Sequence, residues 1–122
     1  MTKPYAGAID CDVHPHVPGI ASLTRYMSDY WRDTVAVRGI ESFETMAYPA
    51  RSPLTLRPGV GTGATRADAA ADGLARSLLD PEGLDLAILN CLYAVQTIRD
   101  DNLALAFARA VNDWVRAEWL DR

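Results

Sequence analysis

The sequence predicts an α/β fold with a parallel sheet, and three observations carry that expectation. Residues 8–17 alternate apolar and polar, residues 84–92 form a near-continuous apolar run, and apolar stripes at helical spacing lie between and after them. The order strand, helices, strand, helix is that of parallel strands joined by helical crossovers.

The first strand is read from Ala8-Ile9-Asp10-Cys11-Asp12-Val13-His14-Pro15-His16-Val17. Successive strand side chains point to opposite faces, so Ile9, Cys11, Val13 and Val17 share one face. Asp10, Asp12, His14 and His16 share the other. Pro15 has no N–H to give a sheet ladder, so the strand is expected to end near it. Both histidines then sit at its carboxyl end.

Ile20, Leu23, Met27, Tyr30 and Trp31 form one apolar helical stripe, read as simple packing. Ser22 and Ser28 are each suited to cap a helix start, which suggests two short helices. Between Gly39 and Thr65 periodicity fades, and Pro49, Pro53 and Pro58 alternate with Gly59, Gly61 and Gly63. This reads as a loop-rich insertion, 39–65, after the first strand unit, and long loops of this kind often form lids. Its glycines are not followed by the Lys-Ser or Lys-Thr pair of a phosphate cradle.

Thr65 with Asp68 resembles a capping box, opening a helix through Leu79 with Ala67, Ala70, Ala71, Leu74 and Leu78 on its apolar face. Asp80-Pro81-Glu82-Gly83 stops that helix and turns the chain. The run from Leu84 to Leu92 is expected to be a strand buried on both faces. Asp100 or Asp101 starts the last helix, whose apolar face holds Leu103, Phe107, Val111, Trp114 and Val115.

The chain has 122 residues, enough for one domain with a modest core, and a formal net charge of −4. That balance supplies no broad basic surface for nucleic acid. No apolar run approaches the roughly 20 residues of a membrane span, and no signal-peptide core follows Met1. Cys11 and Cys91 belong to no CxxC pair, so both read as reduced, buried thiols of a cytoplasmic protein.

The chemistry concentrates on the only two histidines, His14 and His16. Residues i and i+2 of a strand share a face, so both imidazoles can converge on one divalent ion. Zinc is the first expectation, and manganese and iron accept the same donors. Asp10 and Asp12, on that face, are candidates to orient a histidine from behind the metal. The plainer alternative is an edge strand with a solvated polar face. Zinc at catalytic sites takes three protein ligands plus water, and the chain offers no third histidine.

The segment Ile9 to Val17 resembles the first strand of the amidohydrolase-2 family, which includes aminocarboxymuconate semialdehyde decarboxylase-like proteins. The family pattern Asp-x-His-x-His stands here as Asp12-Val13-His14-Pro15-His16. Further similarities lie in Tyr26-Met27-Ser28-Asp29-Tyr30-Trp31-Arg32, in Leu78 to Leu89 and in Ala110-Val111-Asn112-Asp113-Trp114. The resemblance spans nearly the whole chain. It implies the amino-terminal portion, 1–122, of a single (β/α)8 TIM-barrel domain with its site at the carboxyl ends of the strands. It also implies that His14 and His16 are metal ligands, with the remaining His and Asp ligands on later strands.

The implied activity is that of a metal-dependent hydrolase or non-oxidative decarboxylase acting on a small carboxylic acid, aromatic or unsaturated. The catalytic carboxylate matches neither Asp10 nor Asp12, so this chain by itself is expected to be inactive. Two parallel strands leave apolar surface open, which predicts a homo-oligomer. The alternative is a small non-catalytic module that binds metal or a partner, completing a site from two HxH pairs in a dimer.

Overall fold

The computed structural model describes residues 3–15, 17–41, 71–93 and 95–121. Its elements run β1 (Ile9–Val13), α1 (Ile20–Thr24), α2 (Asp29–Val37), α3 (Ala71–Leu74), a π-helical turn (Ala75–Leu79), α4 (Asp80–Glu82), β2 (Leu86–Leu89), a 3-10 turn (Val95–Thr97), α5 (Asp101–Val115) and a second π-helical turn (Arg116–Leu120). The two strands pair in parallel. Two parallel strands with intervening helices make the α/β class a property of the folded chain. The segment 42–70, which holds most of the 39–65 insertion and the Thr65–Asp68 cap, lies outside the described residues, as does His16.

The core is helical. Leu23 of α1 and Phe107 of α5 are completely buried, and Met27, Val35, Val111 and Trp114 close around them. Burying side chains of this size contributes about 1.5–3 kcal/mol each. Helix α5 supplies half of the buried apolar side chains among the described residues, because Leu103, Phe107, Ala110, Val111 and Trp114 recur at helical spacing along one stripe. Of the two aspartates offered for its start, the cap is Asp100, whose carboxylate accepts from Asn102 N and Leu103 N, both at 3.1 Å. The Leu103 N–H, with Arg38 beside it, holds that carboxyl below its ordinary range.

Helix α2 begins where Ser28 suggested, with Ser28 at the N-cap position, although its hydroxyl makes no capping bond. Helix α1 starts one turn earlier than a Ser22 cap allows, with Gly19 at its N-cap. The stop at 80–83 is a left-handed turn at Gly83, φ 79°. A Cβ there would lie 2.6 Å from the Lys3 Cβ, so only glycine serves both the angle and the approach. Residues 3–8 run alongside this turn, with Tyr5 N donating to Glu82 O and Gly7 N to Gly83 O.

The sheet departs from expectation in two ways. Pairing joins Ile9 to Leu86, Asp10 to Ala87 and Val13 to Leu89, so β1 takes one residue more than β2 between Asp10 and Val13. This bulge interrupts the strict alternation read from the sequence, and Val13 turns inward with Asp10 while Cys11 and Asp12 are both exposed. Second, β2 is not covered on both faces: Leu86 is 57 % and Ile88 53 % exposed, beside Ile9 at 52 %. The helices bury their stripes mainly against one another, leaving nothing among the described residues to cover that row. Cys11, expected to be buried, is exposed for the same reason.

Candidate metal centre

Both strands end at the same edge, and their last residues build the site. After the bulge, Val13 O accepts from Asn90 N at 2.7 Å, which carries the parallel pairing one step past β2. This brings His14 beside the chain leaving β2. The His14 Nδ1 lies 2.8 Å from Asn90 O. A carbonyl oxygen only accepts, so Nδ1 carries the proton of this bond, and the neutral ring has its lone pair on Nε2.

The Nε2 atom lies 3.5 Å from Asp12 Oδ1. Two donors of a tetrahedral ion, each at roughly 2.0–2.1 Å, stand about 3.4 Å apart. The observed separation fits a cation bracketed by His14 and Asp12. The His14 side chain is 38 % exposed and that of Asp12 74 %, leaving the pair open to solvent.

The roles anticipated for the aspartates are thereby redistributed. Fixing the His14 ring falls to the main-chain carbonyl of Asn90, and Asp12 stands on the side of the free Nε2. The Asp10 carboxylate turns back to accept from Asp12 N at 3.0 Å, so it shapes the bulge and reaches His14 only through Asp12. His16, the other expected ligand, lies outside the described residues. Among the described residues no three His, Cys, Asp or Glu side chains gather to hold a metal ion.

Three neighbours were not singled out for this site from sequence. Asn90 supplies both its N–H and its carbonyl, as above. The Cys91 thiol donates to Pro15 O at 3.3 Å, and burial pushes that thiol up to about 11. Burial, and then the nearby Cys91, push the Tyr93 hydroxyl up to about 12, and its ring stacks on Phe107 at 6.3 Å. The available signal was β2 itself: in a parallel pair, residues following one strand lie beside those following the other.

A groove of about 450 Å³ between the start of α2 and α5, lined by Tyr30, Trp31 and Arg109 among others, shares no residue with this site. No helix among the described residues is long and apolar enough to cross a membrane. Comparison with protein-family models and with curated proteins finds no match to this chain.

Proposed function

We propose that this chain carries the first metal-ligand strand of an amidohydrolase-like (β/α)8 barrel. The complete site would serve a metal-dependent hydrolase or non-oxidative decarboxylase of a small carboxylic acid. The observation that carries this reading is the His14 ring at the carboxyl end of a parallel strand, with Nδ1 engaged by Asn90 O and Nε2 facing Asp12. Such a bond from the far ring nitrogen is the usual support of a metal-binding histidine, because it sets the tautomer and raises ligand basicity. Active sites of barrels of this class open at that end of the strands.

His14 would offer Nε2, His16 its imidazole, and Asp12 a carboxylate oxygen. A divalent ion bound there, zinc first and manganese or iron as alternatives, supplies a Lewis acid that polarises a substrate oxygen or acidifies a bound water. The Asn90 carbonyl keeps the His14 proton on Nδ1. The resemblance assigns the remaining ligands and the general base to later strands of the barrel.

The test is metal binding, read with Co²⁺ by absorption and with Zn²⁺ by competition. The chain should take up an ion, and replacing His14 and His16 together by Ala should abolish uptake while helix content is unchanged. Equal metal content in the double variant would sink the assignment. The exposed row of Ile9, Leu86 and Ile88 favours a second reading, a module that pairs through its sheet. One ion per two chains, in a dimer, would select that reading.

A further inference from the structure

We propose that Cys91 is a positioning residue for the His14–Pro15 corner, holding the His14 ring through the Pro15 carbonyl. The proposal rests on the metal-site reading above for its purpose, but its geometry is independent of any metal. Three hydrogen bonds run from the end of β2 to three consecutive residues at the end of β1. Asn90 N donates to Val13 O at 2.7 Å, His14 Nδ1 donates to Asn90 O at 2.8 Å, and Cys91 Sγ donates to Pro15 O at 3.3 Å.

Each bond covers a gap that the others leave. Pro15 has no N–H, so the ladder of β1 loses a donor there, and the Pro15 carbonyl accepts from a side chain. Pro15 is buried, and the protein donor that its carbonyl meets is the Cys91 thiol. Cys91 is half-buried and packs against the helical core. Its thiol stays protonated at neutral pH, because burial raises it to about 11, so it acts as a donor and not as a thiolate. The corner is thus tied to a residue that packs against the helical core. Without that tie the corner keeps the Val13–Asn90 bond on one side of His14 and loses its hydrogen-bonded anchor on the other.

The experiment compares Cys91→Ser, which keeps a donor, with Cys91→Val, which removes it at similar shape. The first readout needs no metal. The imidazole nitrogens of His14 are observed by ¹⁵N NMR at about pH 8, above the ordinary histidine range. The wild type and Cys91→Ser should show a single Nδ1–H tautomer, and Cys91→Val a tautomer mixture. The second readout is Co²⁺ affinity, expected to weaken about tenfold in Cys91→Val, the low end for lost outer-shell support because a thiol donates weakly. Cys91→Ser should stay within about twofold of wild type.

Helix content is checked in every sample, and Cys91→Ala removes the same donor without added volume should valine not fit. Identical tautomer patterns in the donor-keeping and donor-lacking variants would overturn the proposal. A tautomer difference without Co²⁺ binding by the wild type would uphold the positioning role and overturn the metal-site reading instead.

Discussion

The helical half and the sheet half of this molecule both carry large apolar side chains, yet these end in opposite environments. Phe107 and Leu23 are fully buried, whereas Ile9, Leu86 and Ile88 are each more than half exposed. The difference lies in how many partners each element needs. An amphipathic helix has one apolar stripe, and α1, α2 and α5 satisfy one another's. A parallel strand such as β2 is apolar on both faces and has two edges, so it needs cover from both sides and a strand beside each edge. Two strands meet a small part of that demand.

The sharpest way to break the comparison is to delete matched side chains from the two halves. Phe107→Ala should destabilise by about 3–5 kcal/mol, because it leaves a cavity among Leu23, Tyr93 and Trp114. Chemical unfolding followed by circular dichroism measures this, and a loss below about 1 kcal/mol would mean that the helical core is not the stabilising unit. Ile88→Ser should change stability by no more than about 0.5 kcal/mol, as expected for an exposed site. It should, however, reduce self-association in sedimentation if the bare row is where copies meet. A large loss of stability in a monomer would show that Ile88 is covered in solution.

Acid separates the halves more gently. The Asp100 carboxyl is lowered by Leu103 N–H and Arg38, so its contribution is present above the ordinary carboxylate value. That contribution is lost as pH falls through the lower, folded value. Asp100→Asn keeps a capping oxygen and should flatten the acid limb of the stability curve. An unaltered limb would place the titration elsewhere. At the other extreme, Cys91 and Tyr93 favour their protonated forms in the folded chain, so stability should fall as pH rises from about 9 toward 11.

Local rules made much of this legible. The stripe of α5, a start at Asp100 or Asp101 and a stop within 80–83 follow from side chains interacting within a few residues of their own backbone, and the structure puts the cap at Asp100 and the left-handed turn at Gly83. The strand-end position of His14 and its proximity to Asp12 were legible for the same reason. The bulge was not. Alternation is a rule for an isolated strand, whereas a bulge is defined by which residue of another strand stands opposite. The Asn90 carbonyl and the Cys91 thiol escaped notice similarly, being 76 residues from the groups they bind.

The amino-acid order therefore marks the α/β order of the elements, the capped start of α5, the Gly83 turn and the place of Asp12 and His14 at one strand end, because these depend on contacts a few residues apart. Register, the inward turn of Val13, and the ring nitrogen that His14 leaves open depend on β2 arriving alongside β1. That juxtaposition is a product of packing between distant segments, and no local pattern encodes it.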